Sequence, residues 1–277
     1  MSPSQRPIIT ILTDFGLDGA VATCKGVMLN ICRDAQIIDV AHSIRKYAIR
    51  DGAFLLRFAL PYTPVGVHVG VVDPGVGTAR RPIAILTGRG DVLIGPDNGL
   101  LPPAADALGG AVEARELTNR ALWLPETSTT FHGRDIFAPV AAHLAAGDAA
   151  FGDVGDPIEP DELTRLPEPM ATASDGAIET VVTYVDSFGN VRLAGGADEL
   201  AVAFGSPDEG LPLTVEFGGP SSVHEPSRYA TTFGTVDPGA SLVYVDSLGN
   251  LAMADNQGSI ATRLGIGHDR PVRITRA

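Results

Sequence analysis

Apolar and polar positions along the chain change their period about two thirds of the way through, and that change suggests two domains. Pro7 to Leu12 is a short apolar run ending in T-D-F-G, which predicts a strand with Asp14 at its carboxyl end. Val21, Cys24, Val27, Met28, Ile31 and Cys32 then recur at helical spacing. Ile37 to Val40 predicts a second strand, and a helical segment through Phe54, Leu55, Phe58 and Ala59 stops before Pro61. Val65 to Val72 is the next apolar run and ends on Asp73, with further strands predicted at Pro82 to Thr87 and Val92 to Gly95. Strands alternating with helices over short connections predict a mostly parallel sheet covered on both faces. From Asp135 onward, helical spacing returns, with Pro139 tolerable in a first turn and Asp135 explicable as a cap.

Between Phe151 and Gly176 the periodicity fades and prolines accumulate at 157, 160, 167 and 169, which reads as the domain connection. The α/β domain is therefore expected over 1–165, a linker over 166–176 and a second domain over 177–277. In that last part no helical pattern is evident. Short β-rich runs between turns predict a small antiparallel sandwich or barrel. V-T-Y-V-D-S-F-G-N-V from Val182 recurs as S-L-V-Y-V-D-S-L-G-N-L from Ser241. Two hairpins whose turns need Asp, Gly and Asn account for most of this repeat. Phe188 and Asn190 are less well explained, since they could stack on and hydrogen-bond a flat ring.

Composition narrows the partners. At 277 residues, 44% hydrophobic and 19% charged, the chain is an ordinary globular one, large enough for two cores. A net charge of −13 argues against nucleic acid or an anionic membrane as the main partner, while favouring a cationic small molecule. The opening M-S-P-S-Q-R-P lacks an apolar signal core and no run is long enough to span a bilayer, so the cytoplasm is the expected compartment. Cys24 and Cys32 share one helical segment, too far apart along its axis for a disulfide, and read as core residues.

The candidate chemistry centres on V-G-V-V-D-P-G-V-G-T-A-R-R, Val69 to Arg81. A carboxylate at the carboxyl end of such a strand sits where α/β sheets bind ligands. The competing view is a solvated turn with Asp73 and Arg80 as a surface pair worth under about 1 kcal/mol. Its G-V-G is a weak nucleotide signal, because no third glycine opens a helix. Near Thr130, F-H-G-R-D adds His132, for which no structural role is evident. Asp73, Arg80 and His132 together can hold or move a proton and stabilise a developing anion. No Gly-x-Ser-x-Gly suggests an acyl-transfer serine and no His/Cys cluster suggests zinc. The chemistry is that of a hydrolase or transferase acting on a small molecule.

T-D-F-G at Thr13, C-K-G at Cys24, D-V-A-H-S-I at Asp39, V-D-P-G-V-G-T-x-R-R at Val72, F-H-G-R-D-x-F-A-P at Phe131 and D-S-F-G-N at Asp186 come in one order. Together they resemble the S-adenosylmethionine (SAM) hydrolases, or SAM hydroxide adenosyltransferases, relatives of the fluorinase and chlorinase. The resemblance implies an N-terminal α/β domain, a C-terminal β-barrel and a homotrimer whose active sites lie between one subunit's first domain and a neighbour's second. It implies that water attacks ribose C5′ of SAM, the substrate, releasing methionine and adenosine, with no metal and no cofactor. Carried over, Asp73, Arg80 and His132 are catalytic. Arg80 would favour hydroxide, and His132 and Asp73 would orient the water and accept its proton. Asp14 would hold the ribose hydroxyls, Tyr47 would line the ribose and sulfonium region, and Phe188 and Asn190 would meet adenine. Asp186 and Ser247 would meet the amino-acid end of methionine. The halogenating relatives carry a serine where Ala20 stands and an arginine where Leu248 stands, so the partner of the methionine carboxylate is left open. Those relatives also have a tyrosine in place of Asp73 and lack the arginine matching Arg80, which favours hydrolysis over halogenation. The remaining alternative is a non-catalytic adenosine or SAM binder, which would have no use for the polar trio.

Overall fold

Parallel strands β1 (Ile8–Thr13) and β3 (Val67–Val71) form the centre of the first unit, pairing in register from Ile9↔Val67 to Thr13↔Val71. The structure is a computed structural model that describes residues 6–219 and 222–277. Residues 1–5, read above as lacking an apolar leader, lie outside them. The chain divides into two compact units, Met1–Leu166 and Pro167–Ala277.

The first unit adds β2 (Gln36–Ala41), β4 (Pro82–Thr87), β5 (Val92–Pro96), β6 (Ala111–Glu116) and β7 (Pro157–Ile158) in the order β2-β1-β3-β5-β4-β6-β7. From β2 to β5 the neighbours are parallel, and beyond β5 they are antiparallel. The switch has a local cause: the short connection Gly88–Asp91 between β4 and β5 can reverse the chain but cannot cross the sheet. Side chains alternate between the two faces. Ile9, Ile11, Val67, Val69 and Val71 pack with Cys24 and Met28 of α1 (Ala20–Ile31) and Val140 and Ala141 of α4 (Ala138–Ala146). Leu12, Ile83, Ile85 and Leu93 point the other way. They meet Ala53 and Leu56 of α2 (Ile49–Ala59) and Ala104 and Ala105 of α3 (Pro102–Ala107). Both faces are thus covered, which explains why β3 is buried along its whole length. Both cysteines are free and buried, Cys24 in this core.

The second unit contains β8 (Thr172–Ser174), β9 (Ala177–Val185), β10 (Val191–Gly196), β11 (Pro212–Phe217), β12 (Val223–Tyr229), β13 (Ser241–Val245), β14 (Asn250–Asp255) and β15 (Pro271–Arg276). Pairing runs β10-β14-β13-β12-β11-β15-β9 and returns through β9–β10, which closes a barrel; β8 lies outside it along β9. Leu213, Val215 and Phe217 face its core, with Thr214 and Glu216 between them, a strand period of two. Two helices that the sequence reading did not anticipate complete the core, α5 (Ala197–Phe204) and α6 (Ile260–Leu264). Their buried residues (Leu200, Ala203 and Phe204; Ile260 and Ala261) span too few turns to give a recognisable period.

Candidate active site

Asp14 and Asp73 follow the carboxyl ends of adjacent parallel strands, and the Asp14 amide donates to the Val71 carbonyl at 3.3 Å. Beyond β3 the chain folds into a tight turn in which the Val76 amide donates to Asp73 O and the Thr78 hydroxyl to Gly75 O at 2.7 Å. Gly77 lies in the left-handed region at φ +77°, and a Cβ there would sit 2.4 Å from the Thr129 carbonyl oxygen. Only glycine permits this approach, which docks the Asp73–Arg81 turn against the loop leading to His132. Asn98 supports the turn from behind by donating to Val72 O at 2.9 Å.

The docking brings Asp73, Arg80 and His132 into contact. Arg80 Nε donates to Asp73 Oδ1 at 3.1 Å, and its Nη2 donates both to Asp73 Oδ2 and, at 3.1 Å, to His132 Nδ1. The Arg80 and Asp73 side chains are 7% and 5% exposed, so this is no surface pair. A guanidinium only donates, so Nδ1 must offer a lone pair and the proton of the neutral ring sits on Nε2. Burial, and next the charge of Arg80, lower the pKa of His132 against the opposing pull of Asp73 and Asp135. In this arrangement the remaining ring nitrogen, Nε2, is left with a proton to donate. Arg80 Nη1 is buried with no partner among the described residues, while the guanidinium lies 5.4 Å over the ring of buried Phe137. The trio thus presents unspent donors beside a carboxylate whose charge is already balanced.

Asp135 is not a cap. It is fully buried, accepts from Arg134 and from the Ser128 amide at 2.8 Å, and sits in a wide π-helical turn, Gly133–Phe137, that precedes α4. Arg134 is accounted for by that ion pair and by the Phe131 ring beneath it, at 4.9 Å.

Asp14 is largely buried, and its Oδ2 accepts from the Tyr47 amide at 2.9 Å while Lys46 Nζ donates to its carbonyl at 2.7 Å. Tyr47 holds a left-handed backbone, φ +67°, and its ring is exposed. Strain of this kind in a non-glycine residue clusters at ligand sites. Phe15 reaches toward His132 from the other side: its ring is 5.6 Å from that of Phe131, and a Cβ on Gly133 would meet it at 3.0 Å. Asp14, Tyr47 and the trio therefore share one rim of the first unit.

In the second unit Asp186 is engaged in its own turn. Its Oδ1 accepts from the Phe188 and Asn190 amides, each at 2.9 Å, and its Oδ2 accepts from Asn190 Nδ2 at 2.8 Å. The repeated turn is built the same way, with Asp246 Oδ1 accepting from the Leu248 and Asn250 amides. The repeated Asp thus builds each turn, and the Asn190 side chain adds one bond to the first. Phe188 is 77% exposed and Ser247 is exposed, so both are displayed by their turns. An ion pair from Arg192 on β10 to Asp246 ties strand to turn, a contact that sequence reasoning missed. It also missed the role of Phe137 under Arg80, although that residue lies within the F-H-G-R-D-x-F-A-P motif, and a chain from Lys25 through Asp39 and His42 to Thr13. Among the described residues no group of three or more His, Cys, Asp or Glu is arranged to hold a metal, and no helix is long and apolar enough to cross a membrane.

An α/β unit with a buried carboxylate–guanidinium pair beyond a strand end and a half-buried imidazole against it, joined to a closed barrel, has the make-up of a small-molecule enzyme. The model of the SAM hydroxide adenosyltransferase N-terminal domain matches residues 9–155, and that of the C-terminal domain matches 180–273. The chain belongs to that family. It is 46% identical to the (R)-S-adenosyl-L-methionine hydrolase of Salinispora tropica over 99% of both chains. Identity to the Thermus thermophilus protein of the same name is 38%, over 98% of this chain and all of the other. A fluorinase from Actinopolyspora mzabensis is more distant, 30% identical over 99% of this chain and 98% of its own. A crystal structure of a conserved Thermotoga maritima protein superposes with a TM-score of 0.84 at 36% identity, covering 97% of this chain and all of that one.

Proposed function

We propose that this protein hydrolyses SAM to adenosine and L-methionine, with water attacking ribose C5′. The observation that carries the reading is the buried, partly unpartnered Arg80 between Asp73 and the neutral His132. Methionine leaves a sulfonium as a neutral thioether and needs no general acid. What is scarce at neutral pH is the nucleophile, since bulk water ionises with a pKa of about 15.7. Arg80 Nη1 and His132 Nε2–H donate to the attacking oxygen, and Asp73 accepts the proton that the water loses. The C5′–O bond forms as the C5′–S bond breaks, and the bonding pair leaves with sulfur. No metal or cofactor is called for by these steps.

In the same reading Asp14 holds the ribose hydroxyls, Tyr47 covers the ribose and sulfonium, and Phe188 and Asn190 receive adenine. Asp186 and Ser247 lie toward the methionine end, Asp186 acting by shaping its turn. The working form is a cytoplasmic homotrimer in which a neighbouring copy completes each site. The full-length similarity to named hydrolases supports the reaction, and the exposed Phe188 and Tyr47 rings suit a partner surface. Incubation with SAM in halide-free buffer is expected to yield adenosine and methionine, and in ¹⁸O-water the adenosine is expected to carry label on its 5′ oxygen. Formation of 5′-chloro-5′-deoxyadenosine from added chloride at a comparable rate would overturn hydrolysis. A fully active monomer by light scattering would overturn the shared site.

A further inference from the structure

The C-K-G and D-V-A-H motifs have no part in the chemistry above, yet the structure joins their polar side chains in one line. Lys25 Nζ donates to Asp39 Oδ2 at 2.6 Å, Asp39 Oδ1 accepts from His42 Nε2 at 2.9 Å, and His42 Nδ1 lies 2.9 Å from the Thr13 hydroxyl. Thr13 is fully buried, and its hydroxyl already accepts from the Phe15 amide at 3.2 Å. It can therefore give its own hydrogen to Nδ1, while Nε2–H points at the carboxylate. Burial raises the pKa of Asp39, but the hydrogen bonds from His42 and Lys25 outweigh it and hold the carboxyl below its ordinary value, so it stays an acceptor.

The end of this line is the segment that aims Asp14. Besides the Thr13–His42 contact, the His42 carbonyl accepts from the Gly16 amide at 2.8 Å, so His42 grips the segment on both sides of Asp14. A bulge creates the alignment: β1 pairs with β2 as Ile11↔Asp39 and then Leu12↔Ala41, skipping Val40. That extra residue advances β2 by one and brings His42 level with Thr13. Bulges placed this way re-aim side chains next to sites. The Lys25–Asp39 pair, 29% and 46% exposed, contributes little stability as a surface ion pair. Its use is to fix the ring that fixes Thr13.

We propose that His42, braced by Asp39 and Lys25, is a positioning residue that sets the orientation of Asp14 toward the 2′- and 3′-hydroxyls of the substrate ribose. The proposal rests on the assignment of Asp14 to the ribose. Calorimetric titration with adenosine and with 2′,3′-dideoxyadenosine tests both and keeps them apart. The wild-type protein is expected to prefer adenosine by about 100-fold, the hydroxyl contacts being buried hydrogen bonds to a charged group. His42→Ala is expected to shrink that preference about tenfold, leaving dideoxyadenosine affinity within about twofold and raising KM for SAM more than it lowers kcat. His42→Asn, whose amide oxygen can take the Thr13 hydrogen, is expected to recover most of the preference. A folded His42→Ala protein with undiminished preference for adenosine overturns the proposal. Should that variant fail to fold, Asp39→Asn at its half-exposed position decides, with a loss of about threefold expected and no loss overturning. A wild-type protein without preference for adenosine overturns the Asp14 assignment, and the role of His42 falls with it.

Discussion

Replacing Arg80 by alanine removes three donated hydrogen bonds, two to Asp73 and one to His132, from a side chain that is 7% exposed. The Asp73 carboxylate, 5% exposed, is then left without its counter-charge. Breaking a buried pair from one side costs about 3–5 kcal/mol. Urea unfolding of Arg80→Ala is expected to show a loss of that size, and Asp73→Asn in the same chain is expected to return part of it. The catalytic loss has a separate origin, the donor offered by Nη1 to the attacking oxygen. Preorganised donors of this kind contribute about 10²–10³ in kcat, or about 2.7–4 kcal/mol. KM is expected to stay within about threefold, because SAM is itself positive at sulfur and gains nothing from Arg80 before attack begins. Arg80→Lys keeps the charge but not the fork, and one nitrogen cannot serve Asp73, His132 and the oxygen together. A kcat loss of at least about tenfold is expected there too. Single-turnover formation of adenosine measures the step directly. A folded Arg80→Ala protein that keeps more than about a tenth of wild-type kcat, or whose defect is confined to KM, refutes the assignment.

The depressed pKa of His132 means that the unfolded chain takes up this proton first as pH falls. Its contribution to stability is full above the ordinary value of 6.5 and is lost as pH drops from there to the folded value. The acid limb of kcat due to this ring is accordingly expected below pH 6.5, and an NMR titration placing the ring at or above 6.5 would contradict the geometry. Gly77→Ala, forced at φ +77° against the Thr129 carbonyl, is expected to cost about 1–3 kcal/mol in urea unfolding and to lower kcat by lifting Arg80 off His132. Phe188→Ala is expected to leave stability unchanged, the ring being exposed, while weakening adenosine binding by about 1–3 kcal/mol in calorimetry. Asn190→Ala is expected to weaken adenosine similarly and, by losing the 2.8 Å bond to Asp186, to cost about a further 1 kcal/mol of stability.

The parts of this molecule legible in its sequence are those written in local periods. The apolar runs of β1 and β3, and the acids that end them, are enough to identify a covered sheet and its carboxyl rim. Pairing of Asp73 with Arg80 across one tight turn is nearly as local. Delivery of His132 is not, for it depends on a missing Cβ at Gly77, and in the sequence that glycine is indistinguishable from an ordinary turn former. The antiparallel half of the sheet hinges on one short β4–β5 connection, and α5 and α6 are too short to show a period. In the barrel the repeat is conspicuous, but its residues divide by role only in three dimensions: Asp186 and Asp246 accept bonds within their own turns, and Phe188 and Ser247 are displayed. The line from Lys25 to Thr13 depends on a bulge at Val40, which leaves no mark in an apolar run.

The choice of nucleophile turns on Asp73 more than on Arg80. Both water and a halide gain from the donors of Arg80 and His132, so those two residues do not discriminate. Water also has hydrogens to give, and Asp73 offers lone pairs to receive them; a halide has none. A halide about 4 Å from that carboxylate would meet a repulsion of about 4 kcal/mol at an effective dielectric near 20. Bonds from Arg80 to the carboxylate offset part of this repulsion, but the acceptor still has no hydrogen to receive from a halide. A buried Asp–Arg pair is in general weak support for a fold, because desolvation offsets most of the attraction. Here the pair leaves a partly unspent guanidinium and an acceptor side by side, which suits an oxygen that must lose a proton as it attacks.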